Sequence, residues 1–293
     1  VAFSYGLING MMVCAFPAYT AVVSDSVPED VGGGLGILNT ATSITSIVGA
    51  LLGAVTAKYL GFRNLFVIMS FPWFLSTYPI LRIEERRSEE TGKPFQLTGL
   101  NPLRIIRENP SLLILSLSVL LVAVGGYVAS FYPDYLKKAF NVDELMVGFF
   151  DSIYSAMWAI SNYPMGLLSD KIGRKKVIVP GFTLMGLAWL FFPIPQSLFW
   201  LFTLYAIYSV GNSMGFYTTA LAMDITSEQK KGTAVGIFNC FMYIGVFLSG
   251  IAGGVLWENM GALTSFRVAF IAFTLAALIM NFFVKPTHKT QKT

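Results

Sequence analysis

The chain offers few groups that could perform covalent chemistry. Its one histidine, His288, lies in a polar tail, and its two cysteines, Cys14 and Cys240, sit mid-run in apolar stretches with no partner pattern. No His–Asp, Ser–His or Cys–His pair stands near a polar boundary, so the expectation is a protein that is not an enzyme and has no metal site and no cofactor. Chemistry is left to ionisable and polar groups inside apolar segments. Asp151 lies about two turns into such a segment, roughly 10 Å deep at 1.5 Å per residue. A charge there costs up to ~3 kcal/mol when central and ordinarily faces a water-filled cavity or a partner. Tyr154, Trp158 and Asn162 follow at helical spacing, which lays a polar and aromatic stripe along one face. Asp151 can therefore take up a proton or meet a cationic group of a cargo; an aspartate that snorkels to the surface or caps its helix is the alternative. Asn9, Asn39, Tyr127, Tyr208, Asn212 and Asn239 are further polar or aromatic candidates for the lining of a central path.

A second constellation is "GLLSDKIGRKKV", Gly166 to Val177, with five charges in twelve residues between two long apolar runs. A glycine at its start allows close helix approach. Asp170 can meet the positive end of a facing helix, Gly173 permits a tight turn, and Arg174, Lys175 and Lys176 suit an anionic membrane surface.

The elements that position these residues follow from composition. Of 293 residues, 55% are hydrophobic and 12% charged, with mean hydropathy +0.64. A soluble domain carries roughly twice that charge fraction. Nine apolar runs, 1–24, 33–57, 63–82, 111–133, 145–168, 177–195, 199–223, 233–256 and 264–284, are each long enough to cross a ~30 Å hydrocarbon core as a helix. They do not alternate in polarity as the strands of a transmembrane barrel do. The fold class is thus an all-α polytopic membrane protein whose solvent is a lipid bilayer. The net charge of +4 reflects basic loops rather than nucleic-acid binding.

Orientation follows from the same cations. With segment 83–110 inside, that face holds Arg82, Arg86, Arg87, Lys93, Arg104, Arg107, Lys171, Arg174, Lys175, Lys176, Lys230, Lys231, Lys285, Lys289 and Lys292. The outer face holds Lys58, Arg63, Lys137, Lys138 and Arg267. The positive-inside rule then predicts a cytoplasmic C-terminus and residence in the cell (plasma or inner) membrane.

An internal repeat organises the spans. Asp25 and Glu29 match Asp224 and Glu228 at an offset of 199, and Gly36 and Asn39 match Gly236 and Asn239 at 200. "FRNLF" (62–66) matches "FRVAF" (266–270). The offsets describe two parallel, pseudo-symmetric halves. They predict residues 1–82 as three spans of a first half, 83–110 as a cytoplasmic linker with a short interfacial helix near 101–108, 111–284 as a six-span second half, and 285–293 as a tail. Nine spans out of twelve would then be present, with three preceding Val1.

"GLLSDKIGRKKV" resembles the signature of the major facilitator superfamily, G-x-L-[AS]-D-[RK]-x-G-R-[RK]-x-[RK], departing from it where Val177 follows Lys176. The resemblance covers the whole chain as helices 4–12 of that fold. It implies a gating latch in which Asp170 approaches the start of the 33–57 helix and Arg174 pairs with Asp224 or Glu228, with Gly166, Gly173 and Lys175 completing the motif. The antiporter pattern of helix 5 finds only Thr45, Gly49-Ala50 and Gly53-Ala54, without its proline, and the sugar-porter motif is absent where the chain reads "RIEERR". What the resemblance implies is a secondary transporter moving a small-molecule substrate by alternating access, coupled to a proton, monomeric, with a lean to drug or metabolite efflux. An uptake permease of the same fold, or a transport-inactive or receptor-like remnant, are the other readings.

Overall fold

The computed structural model describes residues 31–80, 102–194, 197–227 and 230–284, with 31–40 given through their backbone. All regular structure among the described residues is helical: α1 Val31–Ile80, α2 Pro102–Glu108, α3 Pro110–Gly125, α4 Val128–Phe140, α5 Glu144–Ile172, α6 Arg174–Phe191, α7 Leu198–Gly215, α8 Thr218–Asp224 and α9 Lys231–Phe283. In hydrocarbon every backbone N–H and C=O must be bonded within the segment, which selects helices for chains this apolar. The stretches Ala41–Ser76, Pro110–Phe140 and Lys231–Phe283 are long and apolar enough to cross a membrane by length and composition.

The helix boundaries have local causes. Asp143 caps α5, accepting the Met146 N–H at 3.0 Å, and Glu144 adds negative charge to the first turn. Asn141 closes α4 in the left-handed conformation (φ 50°). Pro110 opens α3 at a position whose N–H would be unbonded anyway.

Six of the predicted runs differ from expectation in detail. Runs 33–57 and 63–82 are separated by a single residue of broken helix instead of a loop, as are 233–256 and 264–284. Gly61 (φ 79°, ψ 161°) and Gly261 (φ 76°, ψ 174°) make these breaks in a backbone region essentially restricted to glycine. They stand 200 residues apart, the offset of Gly36 and Gly236. Beyond Gly261 the chain returns on itself, since Gly245 and Gly253 on one arm of α9, and Ala269 and Ala272 on the other, all pack against residues 120–127. Runs 111–133 and 199–223 are instead divided, at Gly125–Tyr127 and at Phe216–Tyr217. At the first division the ladder tightens to i→i+3 bonds, Ala129 N–H to Gly126 O at 3.1 Å and Ser130 N–H to Tyr127 O at 2.9 Å.

Helix α9 packs chiefly on α3 and α6, α6 on α7, α7 on α5, and α5 on α1. The core is aromatic, with Trp189, Tyr132, Phe150, Phe182, Phe192, Phe238, Phe266 and Phe273 fully buried. The outer faces of α1 and α9 present Phe66, Phe71, Phe74, Phe247 and Phe282 outward, as a bilayer requires.

Gly261→Ala is expected to cost about 1–3 kcal/mol through backbone strain alone, because nothing lies within 4 Å of its Cβ position. Gly250→Ala on the same helix, with equal space and ordinary backbone, is the control and should be neutral. Thermal unfolding of the two variants in detergent measures the difference.

Candidate functional site

The half-buried carboxylate of Asp151 is the centre of a cluster drawn from three helices. Its Oδ1 accepts a hydrogen bond from the Tyr132 hydroxyl of α4 at 2.5 Å and a longer one from the Tyr205 hydroxyl of α7 at 3.4 Å. The two phenol rings are 4.6 Å apart, and Tyr205 stacks on Tyr208 at 5.9 Å, which meets Trp189 at 4.8 Å. Tyr132 and Tyr205 are 1% and 4% exposed, so their side of the carboxylate is closely packed. Such a group can hold one exchangeable proton.

One turn along α5, Tyr154 is held from behind by α7: the Asn212 amide donates to its hydroxyl, and the Ser209 hydroxyl donates to its carbonyl at 2.5 Å. Trp158 packs edge-on against Phe216 with centroids 5.7 Å apart. Both rings line a recess of about 260 Å³, whose remaining lining is Thr42, Ser43 and Ser46 of α1 and Ser155 of α5.

The recess lies between two helices that cross closely toward one end. At that end a Cβ on Gly148 would stand 2.3 Å from the Ala54 Cβ and 3.0 Å from the Ala50 carbonyl oxygen, so only glycine admits this crossing. The Ser152 hydroxyl reaches the Ile47 carbonyl at 3.3 Å. Beyond these, Lys58 pairs with Asp143 at 2.7 Å. The Lys58 ammonium, helped by the Met146 N–H, holds the Asp143 carboxyl below the usual carboxylate range, and the carboxylate holds Lys58 above its usual value. On the same end Trp257 Nε1 donates to Asp134 at 2.9 Å, and Lys138, the larger influence, lowers the Asp134 carboxyl.

The opposite end carries the basic loop. Gly173 (φ 100°, ψ 138°) separates α5 from α6 in a conformation that favours glycine. Arg174 pairs with Asp224 at 2.6 Å and with Asp170 at 3.2 Å, and is itself mostly buried. Asp170 therefore meets Arg174 of its own loop, where the resemblance places it against the start of α1. Lys175 donates to the carbonyls of Asn281 and Val284, both at 2.6 Å, filling bonds that the last turn of α9 leaves open. Burial pushes the Lys175 ammonium below its ordinary value. Gly166 lies against the Tyr217 ring, with 2.7 Å from its Cβ position to the hydroxyl.

Three path candidates are placed away from the recess. Tyr127 is buried, with its hydroxyl on the Ser265 carbonyl at 2.9 Å and its ring against Gly253, because the break at Gly125–Gly126 turns it into the α3–α9 interface. Tyr208 belongs to the packed wall behind Asp151. Asn162 receives the Tyr217 hydroxyl on its carbonyl (2.5 Å) and side-chain oxygen (3.1 Å), while its amide nitrogen has no partner among the described residues. Asn239 is half-buried on α9. Asn9, Glu228 and the Asn39 side chain lie outside what is described. The residues that sequence reasoning missed are Tyr132, Tyr205 and the Lys58–Asp143 pair. Tyr205 precedes Tyr208 and Asn212 at helical spacing, which is a usable signal; nothing local pairs Lys58 with a residue 85 positions away.

The Arg174–Asp224 pair should show a coupling energy of about 1–3 kcal/mol in a double-mutant cycle with Arg174→Gln and Asp224→Asn, read by thermal unfolding. The Lys58–Asp143 tie has a different signature. A depressed carboxyl keeps its contribution above the ordinary pKa and loses it as pH falls through the lowered value, below about pH 3.9. Spin labels at positions 59 and 149 should therefore keep their neutral-pH separation down to that point and move apart below it, whereas Asp143→Asn should give the longer separation at neutral pH.

Comparison with known proteins accords with the geometry. A family model described as Major Facilitator Superfamily matches residues 2–132 and 115–293. An uncharacterized MFS-type transporter of Methanocaldococcus jannaschii is 27% identical over 89% of this chain and 66% of its own length. The multi-drug resistance efflux pump PmrA homolog of Lactococcus lactis is 23% identical over 93% of this chain and 68% of its own. The chain thus spans about two thirds of the length of these relatives. In structure it resembles a bacterial homolog of the human lysosomal transporter Spinster in its inward-facing, unoccupied conformation, with a TM-score of 0.59 at 16% identity, covering 92% of this chain and 72% of the other. With a helical bundle, a glycine-broken repeat and a matching model along almost its whole length, the chain belongs to the major facilitator superfamily.

Proposed function

We propose that this chain forms the greater part of a secondary active transporter, which moves a small solute across a membrane by alternating access in exchange for a proton, without a chemical step. The observation that carries the reading is Asp151, a carboxylate set into apolar helices with Tyr132 and Tyr205 as donors, one turn from a recess between α1 and α5. A group in that position can bind a proton when one side of the membrane is open and release it when the other is.

The halves are taken as 1–82 and 111–284, joined by 83–110 and followed by the tail 285–293. The distribution of cations argues for the Gly173 end and the C-terminus in the cytoplasm of the cell. The seam at Lys58, Gly148 and Ser152 then closes the outer end, with the recess served from the cytoplasmic side. The α1–α5 register runs antiparallel from Ala54/Gly148 to Ile47/Ser152. Continued, it brings the first turn of α1 toward Asp170. When that end closes, Asp170 exchanges Arg174 for the first turn of α1, with Arg174 retained by Asp224. Glu228 is a second partner at that loop. The similarity to a protein named as an efflux pump favours export over uptake. The transporter acts as a monomer.

The groups facing Asp151 are Tyr132 from α4, Tyr205 from α7 and Tyr154 of its own helix, while α1 brings the uncharged Ser46 and Ile47 to this level. In proteoliposomes carrying the full-length protein, Asp151→Asn should abolish solute accumulation driven by a proton gradient while preserving solute–solute exchange. Gradient-driven transport by that variant with an unaltered pH profile would rule out the assignment.

A further inference from the structure

We infer that the recess between α1 and α5 is the binding site for an uncharged, ring-bearing solute that donates hydrogen bonds, distinct from the proton site at Asp151. This rests on the transport reading above and names the cargo class for it.

The walls state the chemistry. Tyr154 and Trp158, one turn apart on α5, are both fixed from behind, by Asn212 and Phe216 of the α7 side. Two rings held this way offer a rigid apolar platform, which binds a planar group without first losing rotamer freedom. Opposite them stand Thr42, Ser43 and Ser46, with Ser155 beside the rings. The Ser46 hydroxyl already donates its proton to the Thr42 carbonyl at 2.9 Å, so its remaining capacity toward the recess is as an acceptor. A solute that brings an O–H or N–H group matches that acceptor.

The lining carries no formal charge among its six residues. Among these six residues a charged solute finds no counter-ion, and burying an unpaired charge is costly. The nearest carboxylate, Asp151, lies outside that lining, and one of its oxygens already accepts from the phenols of Tyr132 and Tyr205. The volume of about 260 Å³ lies just below the ~300 Å³ at which drug-sized pockets begin, and suits one or two fused rings.

The test uses three probes that share one ring system and differ in charge: indole-3-ethanol (neutral), tryptamine (cation) and indole-3-acetate (anion). Binding to the full-length protein in nanodiscs is measured by equilibrium dialysis without any gradient. The neutral alcohol should bind at least about fivefold more tightly than either charged probe. Trp158→Ala should weaken it at least about tenfold, and Trp158→Phe, which keeps a ring, by no more than about threefold. Ser46→Leu, at an exposed position on the other wall, should abolish binding by filling the recess; it provides the readout if Trp158→Ala does not fold. Tightest binding by tryptamine or indole-3-acetate, no binding by any probe, or binding indifferent to both Trp158→Phe/Ala and Ser46→Leu overturns the inference. Because no gradient is present, these outcomes are independent of whether Asp151 couples transport to protons, which the flux assay decides separately.

Discussion

A chain immersed in hydrocarbon must leave no backbone polar group unbonded, and the arrangement of this molecule follows from where that rule is relaxed. The helices break at Gly61, Gly173 and Gly261, each with positive φ, at or near the ends of the spans. Where a break falls within a span, at Gly125–Gly126, it is covered on one side by Ala269, Ala272 and Phe273 of α9 and keeps its bonds by tightening the ladder. The second internal break, at Phe216–Tyr217, places one ring against Trp158 and the other hydroxyl on Asn162. The irregular backbone is therefore also what aims the aromatic groups of the candidate site.

Charge obeys a similar economy. Among the described residues the ion pairs gather at the two ends of the bundle, Lys58–Asp143, Lys137–Glu144 and Lys138–Asp134 at one, Arg174–Asp224 and Lys230–Glu108 at the other. Asp151 departs from that pattern, and its partners are hydroxyls rather than a cation. A carboxylate balanced by neutral donors changes its charge on taking up one proton, with no ion pair to dismantle. The groups at the ends sit beside cations, while the group in the middle is held by hydroxyls.

The sequence makes the helical character and the position of Asp151 legible, because a charge in an apolar run is rare enough to stand out. The stripe of Tyr154 and Trp158 is readable for the same reason that any helical face is, by spacing. Tyr127 is not: it has the right type and depth, but the glycine break before it rotates its face into the α3–α9 contact. Tyr132 and Tyr205 are hidden for a complementary reason, since nothing in a tyrosine-rich sequence distinguishes a phenol bonded to a carboxylate from one that packs. The single-residue breaks at Gly61 and Gly261 read as loops, because hydropathy locates a boundary and says nothing of how few residues can make it.

Lys175 gives the last helix an unusual attachment. By bonding the carbonyls of Asn281 and Val284, it fastens the exit point of the polypeptide to the first turn of α6, beside the arginine that bridges to Asp224. A fluorophore placed at Val284 itself would thus ride with that loop. The molecule contains, in effect, a handle through which this end can be watched by optical means.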